Sequence, residues 1–220
     1  MPPGPSPTWH LAEHDGLPYR FTLPEGYDPE HERYPVVVYL HGSAERGDDT
    51  RAHLTNGVDA LGALQAIAVA PQCPRADTFG GSWYGGASAT QAKVASLVRA
   101  LQTRRSVDPR RVSLIGVSMG ARGLWELLLR HPHLFSAAVP IAGDLDPATA
   151  PLLRGLPIWA FHGEHDDKVS NRAVREVARR LGPPFRYTEL PGVGHDSWRG
   201  AFATPELLPW LLAQQRPAGA

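Results

Sequence analysis

Hydrolysis of an acyl bond needs a nucleophile, a base and an acid, and Ser118, His195 and a carboxylate near residue 166 are candidates for those parts. Ser118 stands in Gly116-Val117-Ser118-Met119-Gly120, a G-x-S-x-G spacing. The apolar run "RVSLIGV" precedes it and the apolar stretch "GLWELLL" follows. In that context the glycines permit a strand-to-helix turn too tight for larger side chains, and the serine Oγ is pushed into the open. The positive end of the following helix then points at whatever bonds to it.

A serine hydroxyl is a poor nucleophile at neutral pH unless a neutral imidazole takes its proton. On a turn of this kind the partners follow in chain order, carboxylate and then histidine. His131 and His133 end the helix after the serine and read as partners of its last carbonyls. His162 closes an apolar strand and reads as a structural imidazole. His195 lies in the glycine-rich loop "LPGVGHDSW", between the last strand-like run and the last helix, and is the candidate base. The acid must fix the imidazole tautomer and stabilise the imidazolium. "PIWAFHGEHDDKVS" supplies Glu164, Asp166 and Asp167 directly after a strand, while Asp144 and Asp146 are weaker alternatives. Spacing alone leaves Asp166 and Asp167 equivalent.

Acyl transfer also builds charge on the carbonyl oxygen, and one preorganised N–H donor there is worth about 3 to 4 kcal/mol. The backbone N–H of Met119 is one candidate. The other is Ser43, in the loop of "VVVYLHGSAERGDD", with His41 as a residue that fixes the loop.

These residues need elements to hold them. Short apolar runs read as strands: "YRFTLP", "PVVVYLHG", "AIAVAPQ", "RVSLIGVS", "AAVPIAG", "PIWAFHG" and "FRYTELPG". Several are apolar on both faces, as a parallel sheet between helix layers requires. Helical patterns alternate with them: "TQAKVASLVRALQTRR", "MGARGLWELLLRH", "NRAVREVARRLG" and "TPELLPWLLAQQ". The last is expected to open on a Thr204 cap with Pro205 in the first turn. Alternation predicts a three-layer α/β fold with a mainly parallel sheet. Residues 1–16 are expected to be an extended tail and 17–220 one domain.

Net charge is +0, which argues against a broad surface for nucleic acid or anionic lipid. Cys73 is the single cysteine, so neither an intrachain disulfide nor a zinc site built on several cysteines is available. His162, Glu164, His165 and Asp166 are close in sequence but lack metal-site spacing. No G-x-G-x-x-G follows a strand and no P-loop occurs, so no cofactor and no metal are expected. No apolar run approaches the ~20 residues of a membrane span. The start of the chain, "MPPGPSPTWH", has neither a basic end nor an apolar core for secretion, so a cytoplasmic location is expected.

Through "YRFTLPEGYDP", "PVVVYLHGSAERGDD", "APQCP", "GVSMGARGLWELLLRHPHLFSAAVPIAG", "FHGEHDDKV" and "GVGHDSW" the chain resembles the α/β-hydrolase superfamily from about Leu17 to Trp210. Within it, the chain is similar to the compact phospholipase/carboxylesterase and dienelactone-hydrolase-like esterases, including the bacterial "predicted peptidase" type. The resemblance implies cofactor-free serine ester hydrolysis, with Ser118 as nucleophile and His195 as base. Asp166 matches the acid of the H-G-x-x-D-x-x-V pattern, with Val169 in register, and Ser43 and Met119 match the oxyanion donors. Dienelactone hydrolases use a cysteine nucleophile, so the serine argues against that activity. The family often has glycine where Ala121 stands and a glycine-rich loop where "AGDLD" stands. Short connections leave no room for a large cap. The irregular stretch "PQCPRADTFGGSWYGGASAT" is expected to cover the site and supply Trp83 and Tyr84 as substrate walls, with Trp198 and Arg46 as further candidates. A small-molecule acyl or aryl ester is the expected substrate, for a monomer or homodimer. A serine peptidase and a non-catalytic binding protein of the same fold are the rivals.

Overall fold

The computed structural model describes residues 7–80 and 88–218. Eight strands form one sheet: β1 (His10–His14), β2 (Leu17–Thr22), β3 (Tyr34–Leu40), β4 (Ile67–Pro71), β5 (Val107–Val117), β6 (Ala137–Ile141), β7 (Ile158–Gly163) and β8 (Phe185–Leu190). Their order across the sheet is β1-β2-β4-β3-β5-β6-β7-β8. β1, β2 and β4 pair antiparallel, and every pairing from β4 through β3 to β8 is parallel.

The strands β3, β4 and β6 are buried at every position, because layers cover both faces of the sheet. Alternation divides their side chains between two cores. Val36, Val38 and Leu40 enter one core with Leu114 of β5, and Val37 and Tyr39 enter the other with Ile115 and Val117. The first core is closed by the helices α1 (Ala89–Gln102), α2 (Met119–Arg130) and α3 (Arg172–Leu181), through Val94, Leu97, Leu124, Leu127, Val174 and Val177. The second is closed by α4 (Trp198–Phe202) and α5 (Leu207–Ala213) together with a 3-10 helix at Val58–Ala63. This is the three-layer α/β architecture expected from the alternating pattern.

Two local expectations change. The stretch expected as a tail contains β1, whose residues His10 to His14 pair antiparallel with Phe21 to Leu17. Its side chains are mostly exposed or half-buried, so an edge strand of this kind leaves little hydrophobic signal. The final helix begins at Leu207 rather than at a Thr204 cap. Thr204 Oγ1 instead donates to Gly200 O and closes α4. Other helix ends carry caps of the usual kinds. Ser88 caps α1 by accepting from the Gln91 N–H, and Gly182 ends α3 at φ 59°.

Candidate active site

β5 runs into α2 through Ser118, whose backbone is held at φ 53° and ψ −113°. Serine rarely adopts a positive φ, and it is held there by packing on both sides. A Cβ at Gly116 would lie 2.4 Å from Gly120 O, and one at Gly120 would lie 2.0 Å from Leu40 O. Both positions therefore exclude any side chain. The Ser118 N–H donates to Ile141 O of β6 at 2.9 Å. Ser118 precedes a helix, where serine ordinarily caps, yet its hydroxyl makes no capping bond. The Oγ lies 2.9 Å from His195 Nε2 instead.

His195 is carried by the loop after β8. Its Nδ1 lies 2.8 Å from Asp166 Oδ2 and 3.0 Å from Asp166 Oδ1. Both neighbours of the ring then have defined roles: Nδ1–H donates to the carboxylate, and Nε2 is left to accept from the Ser118 hydroxyl. The Asp166 side chain is fully buried. Burial alone would raise its pKa, but the Val169 N–H, His195 and the Lys168 N–H outweigh it and hold the carboxyl below its usual range. Asp166 Oδ1 accepts from Lys168 N at 3.0 Å and Val169 N at 2.9 Å, a local turn that aims the carboxylate at the histidine.

The loops carrying Asp166 and His195 are fastened to each other. His165 N donates to Val193 O, Glu164 N donates to Leu190 O, and Glu164 Oε2 accepts from Gly192 N. A Cβ at Gly163 would lie 2.0 Å from Gly194 O, so only glycine permits this approach. Asn171 Nδ2 reaches Gly163 O at 3.3 Å and Glu164 O at 3.2 Å from the start of α3. The other carboxylates that the sequence offers do not reach His195. Asp167 is exposed, Asp144 pairs with Arg122 at 2.7 Å, and Asp146 accepts from Ala148 N to cap a 3-10 helix.

Ser43 opens a 3-10 helix, Ser43–Glu45, directly after β3 and Gly42. The loop lies against Ser118: a Cβ at Gly42 would be 3.8 Å from Ser118 Cβ. Met119 opens α2, so its N–H has no acceptor within the helix. His41 fixes the loop from below. Its Nε2 accepts from Cys73 N at 2.9 Å and its Nδ1 donates to Gly42 O. Burial first, with Arg46 and His53 adding to it, pushes the His41 pKa down to about 4, so the ring is neutral. Cys73 is buried, and burial followed by the Asp77 charge pushes its thiol up to about 12. It is therefore an inert packing residue.

The four expected substrate-wall residues divide. Trp83 and Tyr84 lie outside the described residues. The Trp198 ring stands edge-on to His195 with centroids 6.0 Å apart. Arg46 donates to the carbonyls of Ser43, Arg75 and Asp77, which ties the Ser43 loop to the segment after β4. Ala121 fits because Gly143 stands opposite: a Cβ there would lie 2.3 Å from that of Ala121. Of the His162–Asp166 cluster, His162 and Asp166 are buried together, while Glu164 and His165 are exposed.

A mostly parallel sheet between helix layers, with serine, histidine and carboxylate meeting beyond the strand ends, defines an α/β-hydrolase. The chain belongs to the Esterase family ("Putative esterase"), whose model matches residues 15–182. A thermostable esterase structure superposes with TM-score 0.83 at 26% identity, covering 96% of this chain and 64% of that one. Est1E from Butyrivibrio proteoclasticus superposes with TM-score 0.67 at 12% identity, over 94% of this chain and 99% of its own. Porphyromonas gingivalis dipeptidyl peptidase 4 gives TM-score 0.68 at 15% identity over 94% of this chain, which spans 35% of that protein's length. At such low identity the last two likenesses concern the fold. Among the described residues no helix is long and apolar enough to cross a membrane.

Proposed function

We propose that the chain is a serine carboxylesterase that hydrolyses small acyl or aryl esters through Ser118, His195 and Asp166. The observation that carries this reading is the continuous relay from Ser118 Oγ to His195 Nε2 at 2.9 Å and from His195 Nδ1 to Asp166 Oδ2 at 2.8 Å, in a chain of the Esterase family. Ser118 Oγ attacks the ester carbonyl as its proton passes to His195 Nε2. The carbonyl oxygen becomes an oxyanion facing the N–H groups of Ser43 and Met119. Collapse breaks the bond to the alcohol oxygen, which takes the proton from His195 and leaves an acyl-Ser118 ester. Water then attacks this ester and gives a proton to His195. The acid departs, and Ser118 recovers its proton. Asp166 keeps its charge throughout and stabilises the imidazolium in each half-reaction.

The Trp198 ring beside His195 supports aryl or short acyl groups, since it offers a flat apolar wall at the reacting centre. The test is turnover of p-nitrophenyl esters from acetate to decanoate beside peptide anilides. We expect the shortest esters to be turned over fastest and the anilides to be inert. Preferred cleavage of the anilides overturns the esterase assignment in favour of a peptidase, and a preference for decanoate overturns the small-ester assignment.

A further inference from the structure

Gln72 follows β4, is fully buried, and plays no part in the ester hydrolysis proposed for Ser118. Its carboxamide lies inside the turn that the Ser43 loop makes between residues 45 and 50. Nε2 donates to Glu45 O at 3.1 Å, and Oε1 accepts from Thr50 N at 2.7 Å. A carbonyl only accepts and a backbone N–H only donates, so the two ends of the amide cannot be exchanged. A Cβ at Gly47, between those contacts, would lie 3.1 Å from Gln72 Nε2. The loop is thus wound closely around this one side chain. We propose that Gln72 is a positioning residue for the oxyanion site: it holds Glu45 O, at the end of the one-turn helix that Ser43 opens, and so sets where the Ser43 N–H stands relative to Ser118. This rests on Ser118 being the nucleophile, with Ser43 and Met119 as the oxyanion donors.

The loop needs such a hold because one of its residues is strained. Thr50 stands at φ 58°, which a β-branched residue adopts only where its surroundings impose it. Gln72 Oε1 takes the Thr50 N–H, while Arg20 Nε and Nη2 reach Thr50 O and Oγ1 at 2.8 and 3.1 Å. The residue after Gln72 carries more of the loop. Cys73 N donates to His41 Nε2 at 2.9 Å, and Cys73 O accepts from Gly47 N at 3.0 Å. His41 Nδ1 donates in turn to Gly42 O, the carbonyl of the peptide bond that carries the Ser43 N–H. That peptide is held at its start through His41, and the helical turn after it is held at its end through Gln72. An N–H that must meet a developing oxyanion at ~3 Å loses much of its effect when it shifts or tilts. Without the Gln72 amide, Glu45 O and Thr50 N lose the partner that joins them, and the turn is free to relax.

The test compares Gln72→Met with wild type, since methionine keeps the length and bulk of the side chain without its amide. Folding is checked by circular dichroism. A short p-nitrophenyl ester is then assayed across the acidic and neutral range, and a phenyl trifluoromethyl ketone is titrated as inhibitor. Ser118 Oγ adds to the ketone carbon as its proton passes to His195, and the resulting hemiketal oxyanion needs the same donors but has no leaving group. We expect Gln72→Met to lower kcat about thirtyfold with KM within about threefold, and to weaken ketone binding by a similar factor. The acidic limb of kcat/KM is expected to stay in place, because His195 and Asp166 are untouched. If Gln72→Met does not fold, Gln72→Glu makes the comparison with the same expected losses: it keeps an acceptor for Thr50 N and replaces only the donor to Glu45 O. A folded variant with kcat within about threefold of wild type overturns the proposal. So does a loss of kcat with ketone binding unchanged, or a limb that moves, since either places the damage away from the oxyanion. A wild-type chain that neither turns over the ester nor binds the ketone overturns the triad reading and this proposal with it, so the two failures are distinguishable.

Discussion

The turn at Ser118 shows how local structure can be legible in sequence for an incomplete reason. Its glycine neighbours are legible in sequence, and the clashes that a Cβ would meet at Gly116 and Gly120 explain them. What the sequence hides is that the serine itself adopts φ 53°, a conformation that glycine tolerates and serine does not. Ser118→Gly is therefore expected to be more stable than Ser118→Ala by about 1 kcal/mol, or roughly 2–4 °C in melting temperature. A calorimetric scan that ranks alanine above glycine contradicts this. Asp166 and Asp167 are adjacent, so spacing cannot separate them, and the resemblance was needed to choose. A physical signal was available nonetheless. An aspartate whose carboxylate accepts from the N–H groups two and three residues on makes a turn, and Asp166 does so. Asp166→Asn is expected to lower kcat by about 10⁴-fold through the wrong histidine tautomer, while Asp167→Asn stays near wild type. Equal kcat values for the two variants contradict the assignment.

At the scale of elements, the site depends on loops that approach more closely than side chains allow. The Asp166 loop after β7 and the His195 loop after β8 meet at Gly163, where only hydrogen fits. Gly163→Ala is expected to cost more than about 3 kcal/mol or to part the two loops, and urea denaturation with a parallel activity assay will register either effect. A variant of wild-type stability and activity contradicts it. The contacts of Asn171 and Arg46 were not legible, because each bonds to backbone carbonyls that only the folded loops bring near. The strands with continuous apolar runs were legible because burial on both faces leaves little choice of residue. β1 was missed for the opposite reason: at the sheet edge its side chains remain largely in water.

Across the whole molecule, two apolar cores pack on opposite faces of one sheet, and the functional loops follow the carboxyl ends of β3, β5, β7 and β8, which run parallel. That plan was legible from alternation alone. The interior also holds two neutral histidines. Burial is the main cause that pushes His41 and His53 from 6.5 down to about 4. Because the folded values lie below the unfolded one, their contribution is complete above pH 6.5 and is lost as pH falls toward 4. Each is worth up to about 3 kcal/mol over that interval. Denaturant unfolding should therefore show stability falling between pH 6.5 and 4, before most carboxylates titrate. A flat profile over this range contradicts the buried neutral state of both rings. The central claim remains the nucleophile, and covalent labelling tests it most directly. A fluorophosphonate should add once to the wild-type chain, at Ser118 by peptide mass mapping, and should abolish ester turnover, while Ser118→Ala should neither label nor turn over ester. No adduct on Ser118, or turnover that survives in Ser118→Ala, would contradict the account.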